Sequence, residues 1–387
     1  MRDLRGLPIV HINSASRGGG VAELLRSQVP LERALGLDSR WYTISAPKSF
    51  FAITKKLHNL LQGAPGKLTS QEERYYKEIG EMLGGQFLSI ATSFKQGIVV
   101  VHDPQPAHVL TTIPKHLRSV WRLHIDLSHA NLWSTKMLQG YARYANSIVV
   151  SNGAFIQAFR GREVIIKPAI DPFVPKNRPM SIARARLVLR TVGIHDDRPL
   201  MVQVSRFDVW KDPVGVIRAY YQAKKNEPQL QLVLAGLMTA QDDPEAFNIL
   251  TKVSKYALGD NDIFLFSDPK QLGTISNDEF VNALHTLATV IVQKSTREGF
   301  GLTITEAMWK GKPVIVAPSA GALSQIRDGK DGFIVSGSRD MAAQVTVLLK
   351  NARLRERLGS QARKNVEKGF LFPRYVLDCV RLYNRIV

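Results

Sequence analysis

Val290-Ile291-Val292-Gln293-Lys294-Ser295-Thr296-Arg297-Glu298-Gly299-Phe300-Gly301-Leu302-Thr303-Ile304-Thr305-Glu306 holds a strand, a loop and a helix start in one run. The stretch Val290–Gln293 lacks polar alternation, so it predicts a strand covered on both faces, as in a parallel sheet. Gly299 and Gly301 disfavour a continuous helix from Glu298 to Glu306, at ~1 kcal/mol for each interior glycine. The run therefore predicts Glu298 in a loop and Glu306 in the first turn of the following helix. A strand, a loop and a helix in that order form half of a βαβ unit.

The same alternation extends in both directions. In the first half, strands are predicted at Pro8–Asn13, Arg40–Ile44, Ile98–His102, Val120–Leu123, Ser147–Val150 and Val164–Ile166. In the second half they fall at Leu200–Ser205, Gln231–Ala235, Ile263–Phe266, Val290–Gln293, Val314–Ala317 and Gly332–Val335. Helix periods at Val21–Leu35, Val214–Lys225, Asp278–Leu287 and Met341–Leu349 fill gaps between them. So many strands exceed one ordinary sheet, and the economical α/β reading is two doubly wound Rossmann-like domains. Pro172, Pro175 and Pro179 place the seam in Asp171–Arg198, ahead of a basic helix at Ile182–Val192. The expected division is an N-terminal domain of residues 1–172, a linker of 173–195 and a second domain of 196–370. After the Phe372-Pro373 break, a helix over Tyr375–Ile386 is expected to return residues 373–387 to the first domain.

Composition narrows the class. The chain has 387 residues, 44% hydrophobic and 22% charged, which suffices for sizeable cores. Against 33 Asp and Glu stand 52 Lys and Arg, a formal net charge of +19 that attracts polyanions. The densest basic group, Arg353, Arg355, Arg357, Arg363, Lys364 and Lys368, has helical spacing and reads as a solvated face. No RNA-recognition or helix-turn-helix pattern accompanies it, so no specific nucleic-acid partner is expected. No run reaches the ~18 uncharged apolar residues of a membrane span. Met1-Arg2-Asp3-Leu4-Arg5-Gly6 has no signal-peptide core behind it, and the single cysteine, Cys379, suits a reducing cytoplasm. The nine histidines show no metal-ligand spacing, so no metal site is expected.

Ligands of open α/β sheets sit beyond the carboxyl ends of the strands, which makes four strand ends informative. Ser14-Ala15-Ser16-Arg17-Gly18-Gly19-Gly20 lets backbone approach a ligand and leads into a helix N-terminus suited to phosphate. A tight strand–helix turn without a ligand would read the same way. Arg206 and Lys211 flank Phe207-Asp208-Val209-Trp210, and both cations can converge on one pyrophosphate unless they pair with Asp208 and Asp212. Asp212-Pro213 is a good cap for the next helix. Glu298 and Glu306 straddle the glycine loop and suit a sugar nucleotide, although Thr303-x-x-Glu306 also fits a capping box. His102-Asp103 and His124-Ile125-Asp126 end two strands of the first half, where a lone histidine is commonly a hydrogen-bonded structural residue.

In combination these motifs resemble the retaining GT-B glycosyltransferases of family 4. His102-Asp103-Pro104-Gln105-Pro106, Trp121-Arg122-Leu123-His124-Ile125-Asp126, Gln203-Val204-Ser205-Arg206-Phe207-Asp208, Arg297–Lys312 and Phe50–Asn59 narrow the resemblance to the glycosyltransferring trehalose synthases. The resemblance implies two domains facing across a cleft and transfer of glucose from ADP- or UDP-glucose to free glucose, giving α,α-trehalose. It implies His124, Arg206, Lys211 and Glu298 as catalytic residues. Arg206 and Lys211 would hold the donor diphosphate, Glu298 the sugar hydroxyls and Glu306 the ribose. Gly19, Gly20 and the backbone of Phe300, Gly301 and Leu302 would complete the donor site, with His124 near the reacting carbon. Asp103 and Asp126 are candidates for acceptor contact. The resemblance requires no cofactor, with Mg2+ at most a stimulant, and leaves room for a homodimer. This chain departs from the family at Ser319-Ala320-Gly321-Ala322, where a Gly-Gly pair is common, and is short between Met82 and Ile98. The same fold could instead glycosylate a phosphosugar, a glycerate or a membrane lipid, and the charge alone would fit a non-enzymatic polyanion-binding protein.

Overall fold

Two parallel six-stranded sheets organise the chain. The computed structural model describes residues 4–156, 158–159, 162–237 and 244–387. The first sheet contains β1 (Pro8–Asn13), β2 (Asp38–Thr43), β3 (Ile98–His102), β4 (Arg118–Arg122), β5 (Ser147–Val150) and β6 (Glu163–Ile165). Their spatial order is β2-β1-β3-β4-β5-β6. The second holds β7 (Leu200–Val204), β8 (Gln231–Ala235), β9 (Ile263–Phe266), β10 (Val290–Gln293), β11 (Val314–Val316) and β12 (Phe333–Ile334), in the order β12-β11-β10-β7-β8-β9. Every named strand pair is parallel, with Ile12 opposite Val101 in the first sheet and Val290 opposite Met201 in the second. The expected strands are all present, and their bounds move by a few residues where the apolar run overlaps a turn.

The chain divides into two units: one runs to Ala169 and takes back Phe372–Val387, the other is Ile170–Leu371. The return has a physical reason. The helix Phe372–Ile386 buries Phe372, Tyr375, Val376, Cys379, Leu382 and Tyr383 in the core that contains Ile9, Leu24, Ile98, Val120 and Val149. Each large apolar side chain so buried is worth ~1.5–3 kcal/mol. The segment 173–195 includes the helix Ile182–Thr191, capped by Ser181, whose Ala185, Val188 and Leu189 join Phe280, Ala283 and Leu284 in the second unit's core.

Sequence order reverses between β1 and β3 in the first sheet and between β7 and β10 in the second. These are the switch points at which open α/β sheets bind ligands. The glycine turn follows β1, His102-Asp103 lies at the end of β3, Arg206 and Lys211 follow β7, and Glu298 follows β10. Among the described residues no helix is long and apolar enough to cross a membrane.

Candidate functional site

In the second unit, β7 leads through Ser205-Arg206 into the short turn Val209–Lys211, with the Asp208 side chain accepting from Trp210 N. Asp212 has φ 42 and caps the helix Pro213–Lys224 by accepting from Gly215 N at 3.0 Å. The expected cap is therefore present, in a left-handed backbone conformation that Asp tolerates better than most residues. This turn brings Lys211 onto the loop after β10, where its Nζ donates to Glu298 Oε2 at 2.5 Å. Both side chains are 15% exposed, so the pair is sheltered but still reached by solvent. Ser295 Oγ also donates to Glu298 Oε2, at 3.3 Å. Arg206 pairs locally with Asp208 at 2.9 Å and is 58% exposed, while Asp212 pairs with Lys294. Local pairing thus accounts for Arg206, but Lys211 reaches across to the glutamate loop.

Glu306 corrects the expectation of a first-turn residue. The helix is Leu302–Trp309 with Gly301 as its N-cap, at φ 89 and without a side-chain cap bond. Thr303 does not cap this helix; its Oγ1 accepts from Gln293 Nε2 at 3.0 Å, so the capping box is not formed. Glu306 is buried one turn further in, with Oε1 2.5 Å from Lys176 Nζ. The cap position needs glycine because its φ is positive and a Cβ would approach Ile304 Cδ1 to 3.0 Å and Glu298 Cγ to 3.1 Å. With no side-chain cap bond at the helix start, the first N–H groups of Leu302–Trp309 suit an anion.

Three neighbours of this loop and of the helix after it were not selected from sequence. Gly321 N donates to Glu298 O at 2.9 Å. Buried Gln325 donates from Nε2 to Phe300 O at 2.6 Å and accepts at Oε1 from Thr305 Oγ1 at 2.6 Å. The third is Lys176, beside Glu306. The departure Ser319-Ala320-Gly321-Ala322 thus retains a glycine that touches the loop.

In the first unit, Gly18 and Gly19 have φ 73 and 80, and Gly19 is the N-cap of the helix Gly20–Ala34 with no side-chain cap bond. A Cβ on Gly19 would meet nothing within 4 Å, so its backbone conformation rather than crowding calls for glycine. Asp103, at φ 63, accepts at Oδ1 from His124 N at 2.7 Å, and its carbonyl accepts from Trp121 Nε1 at 3.0 Å. Asp126 is buried, and its Oδ1 accepts from Ser128 N at 2.9 Å and Ser128 Oγ at 2.6 Å. His124 Nε2 lies 2.9 Å from His102 Nδ1, His102 Nε2 lies 3.1 Å from His11 Nδ1, and His11 Nε2 lies 2.9 Å from Glu32 Oε2. Burial, reinforced by the positive charge of Arg122, holds His124 well below the usual imidazole range. Burial also lowers His102, with further contributions from His124, His11 and Arg122. Neither His11 nor Glu32 stands out in the sequence, because one lies within an apolar strand and the other within an amphipathic helix.

Burial pushes the Asp103 carboxyl up to about 7, against the smaller lowering effects of the His124 N–H bond and the Arg122 charge. A carboxyl raised on folding stabilises fully below its unfolded value, and that stability is lost as pH rises through the folded value. Asp103→Asn keeps the Oδ1 acceptor and suits a positive φ. We expect it to raise the melting temperature at pH 8 relative to wild type, with the difference closing toward pH 4. A variant less stable at pH 8 than at pH 4, each relative to wild type, would contradict this.

Comparison with known proteins follows the same two-unit division. Residues 11–157 match the family of trehalose synthase N-terminal domains, and residues 189–365 match the glycosyl transferases group 1 family. An α,α-trehalose-phosphate synthase (UDP-forming) from Burkholderia vietnamiensis has TM-score 0.75 at 14% identity, covering 99% of this chain and 100% of that one. Anabaena HepE, solved in complex with UDP-glucose, has TM-score 0.74 at 17% identity, covering 98% of this chain and all of its own. The fold is therefore that of a GT-B glycosyltransferase. A trehalose synthase from Rubrobacter xylanophilus is 39% identical over 392 residues, covering 99% of this chain and 92% of the relative. On that similarity, the chain belongs to the trehalose synthase family.

Proposed function

We propose that this protein is a retaining glucosyltransferase that moves glucose from ADP- or UDP-glucose to free glucose, forming α,α-trehalose. The observation that carries the reading is the Lys211–Glu298 pair at the carboxyl ends of β7 and β10, at 2.5 Å. A cation beside a carboxylate at a switch point provides one group for a diphosphate and one for sugar hydroxyls. In this reading Lys211 and Arg206 bind the diphosphate and stabilise its charge as it leaves. Glu298 accepts from the sugar hydroxyls, Glu306 from the ribose, and the backbone of Phe300, Gly301 and Leu302 completes the donor contact. In the first unit, the uncapped turn at Gly19 and Gly20 serves the diphosphate and His124 the donor sugar, while Asp103 and Asp126 contact the acceptor. The bond from C1 to the phosphate oxygen breaks, the acceptor oxygen bonds to C1 on the same face, and its proton passes to the departing phosphate. No enzyme nucleophile takes part, and the glutamates bind substrate rather than acting as a glycosidase pair. No cofactor is required, and Mg2+ is at most a stimulant.

The test is a product assay with ADP-glucose and UDP-glucose against free glucose, with donor-only controls. Trehalose and nucleoside diphosphate should appear in equal amounts. Donor binding without any disaccharide would overturn the acceptor and redirect the search to anionic or lipid acceptors.

A further inference from the structure

Glu32 closes one end of the histidine chain, and its surroundings fix its protonation. Gln28 Nε2 donates to its Oε1 at 2.7 Å and Tyr383 Oη at 3.2 Å; His11 Nε2 donates to its Oε2 at 2.9 Å and Ser39 Oγ at 2.6 Å. Gln28 is oriented in turn, since its Oε1 accepts from Tyr375 Oη at 2.6 Å. Four donors fill the acceptor positions of an ionised carboxylate and leave no place for a proton. Although burial works to raise the Glu32 pKa, its interaction with His11 and the bonds from His11, Ser39 and Gln28 hold the group lowered.

Tautomers follow in sequence along the chain. His11 must donate from Nε2, so a neutral His11 accepts at Nδ1. His102 then donates from Nε2 and accepts at Nδ1, and His124 donates from Nε2. The last atom, His124 Nδ1, is left with an electron pair and has no protein partner among the described residues. If the chain takes up one proton, the outcome at that atom is the same wherever the charge resides. On His124 the added hydrogen sits on Nδ1 directly; on His102 or His11 the rings beyond it reverse, and Nδ1 again carries hydrogen.

We infer that Glu32, His11 and His102 are positioning residues that set the tautomer of His124, presenting Nδ1 as a hydrogen-bond acceptor and converting it to a donor when the chain gains one proton. This rests on the reading of His124 as a donor-sugar contact, which makes a sugar hydroxyl the group that Nδ1 receives. The anion Glu32 is the counter-charge for the added proton. Arg122 on β4 opposes it, and burial keeps Tyr375, Tyr383 and Cys379 protonated on the helix Phe372–Ile386. Asp103 at the end of β3 titrates nearby, so Asp103→Asn is the control for its own proton.

Nitrogen NMR of 15N-histidine-labelled protein, with His124→Gln for assignment, tests the chain without any substrate. At pH 7.5 His124 should show a protonated Nε2 and an unprotonated Nδ1. An Nδ1–H tautomer, or averaging between the two, would overturn the inference. Kinetics then test the switch through the acid limb of kcat/KM for the nucleotide sugar. Glu32→Gln removes the counter-charge and should move that limb down by ~1 pH unit, the low end of the effect of a neighbouring opposite charge. His11→Gln keeps the donor and acceptor order. It should preserve the His124 tautomer, and that readout serves alone if Glu32→Gln fails to fold. An acid limb unmoved in folded Glu32→Gln, or a reversed His124 tautomer in folded His11→Gln, would overturn the inference. If wild type transfers no glucose, the proposed function fails while the NMR result still judges the chain.

Discussion

Lys211→Ala should lower turnover by ~10²–10³-fold, the loss typical when one preorganised group that stabilises transition-state charge is removed. The fold should survive, because no residue of the turn Val209–Lys211 is fully buried. Two consequences separate this from a packing effect. The leaving diphosphate loses a cation, which acts on kcat. Glu298 also loses the ammonium at 2.5 Å, and its carboxylate then repels an incoming diphosphate, which raises the donor KM. Adding Glu298→Gln should relieve the KM effect and leave the kcat effect in place. The measurement is steady-state kinetics on both single variants and the double variant, with melting temperatures alongside. A near-wild-type rate for Lys211→Ala would remove this lysine from the donor site.

The residues that the proposed function assigns to the donor could be marked from sequence because each follows an apolar strand closely, and doubly wound sheets place ligands there. Lys211 and Glu298 come from different strand ends, yet both could be marked without knowing that they meet. The partner of Glu306 could not. Lys176 lies in a proline-broken stretch that reads as linker, and no local pattern ties that stretch to the buried face of the helix Leu302–Trp309. Thr303-x-x-Glu306 misled for a related reason: it has the spacing of a capping box, but the positive φ of Gly301 starts the helix two residues earlier. The histidine chain was half legible. His102 and His124 stand at strand ends, whereas His11 and Glu32 gain meaning only when the helix Gly20–Ala34 is laid against β1.

Gly321→Ala should cost ~10²-fold in nucleotide-sugar affinity and activity, the scale expected when a binding group is displaced by about 1 Å. A Cβ at this position would stand 2.6 Å from Phe300 O and 2.7 Å from Glu298 O, both backbone atoms that no rotamer change can withdraw. The loop from Glu298 to Gly301 must therefore move, and it is held on both sides. Gly321 N binds Glu298 O at 2.9 Å, and Gln325 Nε2 binds Phe300 O at 2.6 Å. Displacement strains these bonds together and shifts the glutamate that meets Lys211. Overpacking adds a stability cost of ~1–3 kcal/mol, too little to unfold a domain of ordinary stability. Gly369→Ala is the matched control in the same unit, since a Cβ there meets nothing within 4 Å. Calorimetric titration with ADP-glucose or UDP-glucose, paired with melting curves, reads both effects. Affinity at the wild-type level in Gly321→Ala, with the Gly369→Ala control equally intact, would show that the loop after β10 does not form the donor site.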